Sequence, residues 1–70
     1  MYVSVIITKR EDINIKWEYD NVSLIEPTFS GKIRLVCWQL APDGKAEKFV
    51  RLIDPEAFYI ETIFDVHVIR

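Results

Sequence analysis

Cys37 and His67 are the only cysteine and the only histidine of the chain. They are the thiol and the imidazole from which a nucleophile and its base could be drawn. Hydrolysis by a thiol needs that base within hydrogen-bond reach and a third group to orient it. Cys37 stands in the run Leu35-Val36-Cys37-Trp38, where a thiol acts as a small apolar filler. His67 falls on the last strand-like segment and is expected to face solvent. The carboxylate pairs Glu11/Asp12 and Asp54/Glu56 sit in turn-like sequence and read as solvated charges and caps. One cysteine and one histidine cannot make a zinc cluster. Gly31 and Gly44, thirteen residues apart, cannot form a phosphate-cradling loop. These residues lead to a chain without catalytic apparatus, metal or cofactor.

A second kind of chemistry is binding by rings and cations. Lys32, Arg34, Lys48 and Arg51 fall on the central part of the chain with Trp38 and Phe49 among them. Basic rims around aromatic platforms are how small barrels hold single-stranded nucleic acid. The competing reading is structural, with Lys48 stacked across Trp38 as a cation–π pair worth about 0.5–1 kcal/mol. Nine Lys and Arg against eleven Asp and Glu give a net charge of −2, so no global field draws DNA, RNA or an anionic membrane. Trp17, Tyr19, Trp38, Phe58, Tyr59 and Phe64 are many large rings for so short a chain, and aromatics are common interface anchors. Trp17, Phe49 and Phe64 are expected inside. Tyr2, Arg34, Trp38, Lys48, Arg51 and Tyr59 are the candidate interaction residues.

The elements that would position these side chains are strands. Residues 2–8 read as a first strand with Val3, Val5 and Ile7 on one face. Ile13, Ile15, Trp17 and Tyr19 alternate with Asn14, Lys16 and Glu18, the period-2 pattern of a strand with one wet face. Asp20-Asn21 is read as a turn, followed by a short strand over 22–26 that ends at Pro27. Residues 32–40 and 46–53 flank Ala41-Pro42-Asp43-Gly44, in which Pro presets φ and Gly takes the left-handed position of a bulged turn. That turn pairs Ala41 with Lys45, hence Trp38 with Lys48, Cys37 with Phe49, Val36 with Val50 and Leu35 with Arg51. Leu40, Trp38, Val36, Val50 and Leu52 then share one face, and Cys37, Phe49, Leu35, Ile33 and Ile53 the other. A hairpin apolar on both sides belongs in a closed barrel or half in an interface. Asp54-Pro55-Glu56-Ala57 is one helical turn with Asp54 as N-cap, and residues 59–69 close the chain with Phe64, Val66 and Val68 alternating. The fold class expected is all-β, a small antiparallel barrel of SH3-like or OB-like type. It has five or six strands and one short helical turn near 55–58.

Seventy residues make a single domain over 1–70, and a chain of that size hides only about 60% of the surface its unfolded state exposes. A lone cysteine allows no internal disulfide, so stability is left to a rich core or to self-association. Half of the residues are apolar, more than such an interior hides, which predicts association, first of all as a homodimer. No apolar run approaches the ~20 residues of a membrane span. Met1 leads into the first strand without a basic segment or a small-residue cleavage pattern. With a free cysteine, the expected location is the cytoplasm, of a cell or of a host.

Leu24-Ile25-Glu26-Pro27, Leu35-Val36-Cys37-Trp38 and Lys48-Phe49-Val50-Arg51-Leu52-Ile53 together resemble the WYL-type domain over about residues 13–63. That family shows a Glu-Pro after a strand, a hydrophobic strand and a Phe-Arg-Leu segment ending in Ile. The chain departs from it in four places: Leu35-Val36-Cys37-Trp38 lacks the family's Trp-Tyr-Leu triplet, the stretch between Pro27 and Leu35 is short, Val50 separates Phe49 from Arg51, and no helix-turn-helix pattern accompanies these segments. The resemblance implies an SH3-like barrel core and a ligand-sensing or regulatory role linked to nucleic acid, with Arg51 as the counterpart of a groove-lining arginine. The residues themselves point to a non-enzymatic module acting through a protein partner, of the accessory or modulator kind found in phages and mobile elements. A WYL-like domain binding nucleic acid or a nucleotide is the alternative, and a structural subunit of a larger assembly the third.

Overall fold

The computed structural model describes residues 2–64. It holds five antiparallel strands, β1 (Val3–Lys9), β2 (Lys16–Pro27), β3 (Ile33–Leu40), β4 (Ala46–Ile53) and β5 (Phe58–Phe64), in one sheet ordered β4-β3-β2-β1-β5. The all-β class and the five antiparallel strands agree with the sequence reading, and β1 pairs with β5 as well as with β2. Among the described residues the barrel is not closed, because β4 and β5 are not hydrogen-bonded to each other and each is an edge. The radius of gyration, 13.2 Å, exceeds the ~11 Å of a compact domain of this length, in keeping with an open sheet.

Two tight hairpins are local in origin. Ala41 N–H donates to Lys45 O (2.8 Å) and Gly44 N–H to Ala41 O (2.9 Å), with Gly44 at φ 86°. The same geometry recurs at β2–β3, where Thr28 N–H donates to Lys32 O (2.9 Å), Gly31 N–H to Thr28 O (3.1 Å), and Gly31 has φ 85°. Both glycines of the chain hold the left-handed position that a three-residue bulged hairpin requires. The β3–β4 register is the one read from the turn, with Trp38 opposite Lys48, Cys37 opposite Phe49 and Val36 opposite Val50. At Asp54, Phe58 N–H returns to Asp54 O (3.1 Å) and Glu56 N–H to Asp54 Oδ1 (2.9 Å). This is the single capped turn expected there. Arg10 fastens it to β1 by two hydrogen bonds to Pro55 O (3.1 and 2.9 Å).

The sequence reading is corrected at β2. Asp20-Asn21 does not reverse the chain; one strand runs from Lys16 to Pro27. Asn21 has φ 56°, the left-handed conformation Asn tolerates, and it occupies a bulge. β2 gains one residue on β1 between Tyr19 and Val22 and one on β3 between Val22 and Leu24. Each extra residue bends the strand and swaps its inward side. The inward positions thus fall at Tyr19, Val22 and Ile25, three apart where an unbroken strand has them two apart. Ile13 and Ile15, expected in the strand, precede it, and Ile13 is exposed.

Val5, Ile7, Val22, Leu35, Cys37 and Ile53 are the buried core, ringed by Val3, Tyr19, Ile33, Phe49, Phe58 and Ile60. Trp17, expected inside, lies half exposed beside Phe58, the rings edge-on at 5.8 Å. Phe49, also expected inside, is half-buried at the rim of the core. The side chain of Phe64 and the alternation of Val66, His67 and Val68 lie outside the described residues.

Leu35→Ala is expected to cost about 3 kcal/mol by opening a cavity among packed neighbours, against under about 0.5 kcal/mol for Leu40→Ala at an exposed position. Urea melts of the two variants check this. Equal losses would place the core elsewhere. Asn21→Val is expected to cost about 1–2 kcal/mol and Asn21→Gly a few tenths at most, because only the β-branched residue resists φ 56°. Thermal melts measure the difference as about 4–8 °C per kcal/mol, and equal melting of the two would remove the left-handed bulge.

Candidate interaction face

The face of β2, β3 and β4 opposite the core is built by strand alternation. Leu35 and Cys37 point into the core, so Arg34, Val36, Trp38 and Leu40 point out. The β3–β4 register sets Leu52, Val50, Lys48 and Ala46 beside them, and the bulge at Ser23 turns Leu24 to the same side, opposite Val36. Leu24 is 44% exposed, Val50 44%, Leu52 59% and Leu40 75%. Four large apolar side chains are thus left in water on the side of the sheet that the core does not use.

Polar contacts hold this face in shape. Trp38 Nε1–H donates to Ser23 Oγ at 3.0 Å, and Ser23 Oγ–H to Val36 O at 3.4 Å, so the indole is pinned across the bulge with its ring half-buried. Arg34 pairs with Glu26 opposite it on β2. At the sheet end Lys32 reaches Asp54 at 3.8 Å. Beyond the Arg34–Glu26 pair lies a shallow depression of about 550 Å³ lined by Pro27, Thr28 and Phe29. Phe29, at the tip of the β2–β3 hairpin, is fully exposed.

The six candidate interaction residues do not form one patch. Arg34, Trp38 and Lys48 share the outer face, as read from the register. Arg51 lies on the other side, beside Phe49, with its guanidinium 4.7 Å from that ring and donating to Val50 O at 3.2 Å. Tyr59 pairs with Thr8 on the β1–β5 half and carries Arg10 over its ring at 4.2 Å. Tyr2 precedes the other end of β1 and is half exposed. The cation–π contacts among the described residues are those of Arg10 and Arg51, not the pair expected between Lys48 and Trp38. The cations are thereby divided between two faces, and Arg34 and Lys32 each meet a carboxylate.

Leu24, Val50, Leu52 and Phe29 were not among the candidates. The two-sided apolar hairpin was the signal for Val50 and Leu52. Leu24 had none, because the bulge that turns it outward is formed against a distant strand.

The nucleophile candidates are absorbed by the structure. Cys37 is fully buried in the core, and burial pushes its thiol up, with Arg51 drawing it partly back. His67 lies outside the described residues. Asp12 Oδ1 accepts Asn14 N–H at 3.0 Å and Asp54 Oδ1 accepts Glu56 N–H, so both carboxylates close turns. Among the described residues no group of three or more His, Cys, Asp or Glu is placed to hold a metal ion, and no helix is long and apolar enough to cross a membrane.

No family model, curated protein or solved structure matches the chain.

Glu18 and Asp20 sit beside each other ahead of the Asn21 bulge. A hydrogen bond to Asp20, then repulsion by its charge, and last a small desolvation raise the Glu18 carboxyl above its usual value. A carboxyl raised on folding stabilises the fold while protonated, below the unfolded value, and that contribution is lost as pH rises through the folded one. Glu18→Gln is therefore expected to raise the melting temperature near pH 7 and to leave it unchanged below about pH 4. Melts across pH 3–8 check the sign; an advantage that grew toward acid would contradict the shared proton.

Proposed function

We propose that the chain is a non-enzymatic binding module, built on an open five-stranded antiparallel sheet, that works as a homodimer and presents the outer face of β2–β3–β4 to a protein partner. The observation that carries the reading is the exposed row Leu24, Val50, Leu52 and Leu40 on the side of the sheet that the core does not use. The partner suited to it is a protein surface that is apolar at its centre and carries a carboxylate opposite Lys48, since Arg34 is already neutralised by Glu26. Such a role fits an accessory or modulator protein working in the cytoplasm of a cell or host, and no prosthetic group is needed for it. The WYL resemblance favours a regulatory module that binds nucleic acid or a nucleotide. The separation of Arg51 from Arg34 and Lys48 weighs against one continuous basic track, so the protein-binding reading is preferred.

The test is light scattering after size exclusion at low and high salt, on nuclease-treated protein, with anisotropy of a labelled single-stranded oligonucleotide alongside. The reading expects twice the 8.3 kDa chain mass at either salt and no oligonucleotide binding. A monomer that binds the oligonucleotide with an affinity falling steeply as salt rises would replace it with the regulatory nucleic-acid reading.

A further inference from the structure

Among the described residues β4 has a neighbour on one side only; the strand is eight residues long and has no bulge in its pairing with β3. It also contains no proline; of the devices that keep edges unpaired (shortness, bulges, proline and charge) it carries charge alone, in Glu47, Lys48 and Arg51. Its hydrogen-bonding phase follows from the hairpin. Ala41 N–H donates to Lys45 O, so Ala41 and Lys45 are a hydrogen-bonded pair, and alternation makes Gln39/Glu47, Cys37/Phe49 and Leu35/Arg51 hydrogen-bonded pairs as well. The backbone groups of Glu47, Phe49 and Arg51 are thus spent on β3. Those of Ala46, Lys48, Val50 and Leu52 point out from the sheet. An independent contact agrees: Val50 O, one of the outward carbonyls, is met by the guanidinium of Arg51.

We infer that two copies of this chain join through β4 edge to edge, antiparallel about a two-fold axis at Phe49, so that Glu47 of each protomer faces Arg51 of its partner. The inference rests on the binding-module reading and specifies its dimer. Centred there, Lys48 meets Val50 and Ala46 meets Leu52, all with outward backbone groups, giving roughly eight interchain hydrogen bonds. Phe49 lies against Phe49, and the Glu47–Arg51 opposition occurs twice, at the close spacing of non-hydrogen-bonded pairs. The neighbouring registers lack this fit. An axis at Lys48 sets two lysines face to face, and an axis at Val50 sets Glu47 opposite Ile53 and gives up both charge pairs. Glu47 and Arg51 are exposed, and their present contacts, Gln39 to Glu47 at 2.9 Å and Arg51 over Phe49, lie on the side chains that would re-pair. Joined in this way, the sheets become one continuous surface, with Val50 and Leu52 of one protomer beside Lys48 and Ala46 of the other.

Sedimentation equilibrium of the full chain and four variants tests the register. Glu47→Lys and Arg51→Glu each put like charges opposite and are expected to weaken the dimer about tenfold or more. The double variant Glu47→Lys/Arg51→Glu restores the opposition and is expected to return within about threefold of the native constant, which a loss of folding would not do. Val50→Pro removes only an outward N–H, a place where an edge strand accepts proline; a folded monomer by circular dichroism is expected. A dimer that survives Glu47→Lys, Arg51→Glu and Val50→Pro alike would overturn the β4 register while leaving the binding module standing. A native chain that stays monomeric to millimolar concentration would overturn it too, and salt-dependent oligonucleotide binding by that monomer would remove the module reading with it.

Discussion

The bend in β2 is the constraint on which the rest of the molecule depends. This strand is hydrogen-bonded to β1 on one side and β3 on the other, so it belongs to both halves of the sheet. Straight, it would hold the two halves in one plane, and the side chains of β1 and β4 would stand too far apart to share an interior. The extra residues at Asn21 and Ser23 fold it between the halves, and Val22, almost fully buried between the two bulges, sits where they meet. Val5 and Ile7 then come from one half and Leu35, Cys37 and Ile53 from the other into a single cluster. Asn at the left-handed position makes the bend affordable, since most residues lose about 1–2 kcal/mol there.

A bent sheet of this length has one inside. Its concave side is taken by the core, and no helix or second sheet among the described residues covers the convex side. Apolar side chains on β3 and β4 therefore remain in water on the outer face, arranged by the same alternation that fills the interior. The polar contacts are placed around them. Trp38 is tied to Ser23 at the bulge, Arg34 to Glu26 across β2–β3, and Arg10 to Pro55 at the far turn. Each lies in partly solvated surroundings, where such contacts orient side chains more than they stabilise the fold. The outer face is in this way pre-shaped, with its ring fixed and its leucines free to be covered.

Hairpin chemistry was legible where it is local. Pro42-Asp43-Gly44 announced its turn and with it the whole β3–β4 register. Phe29-Ser30-Gly31 makes the same turn through the same glycine position but without the proline and aspartate that signal it, and was passed over. Asp20-Asn21 has the residue types of a reversal, yet in the structure Asn21 forms a left-handed bulge within one strand. The conformation suits both a turn and a bulge, and only the continued pairing with Val3 and Cys37 decides between them. Arg10, read as part of a charged turn, clasps a segment forty-five residues away, a contact that no spacing in the chain encodes.

The sequence by itself determined the all-β class, the two-sided hairpin, the capped turn at Asp54 and the absence of any local phosphate or zinc motif. Each of these is set by backbone preferences and side-chain periodicity within a few residues. The tertiary structure alone decided which side of the hairpin is core, that the sheet stays open, that Leu24 joins Val50 and Leu52 while Arg51 leaves Arg34 and Lys48, and that β4 is an edge. These depend on pairing between distant strands and on the parity changes of two bulges, and a bulge reverses every inward and outward assignment beyond it.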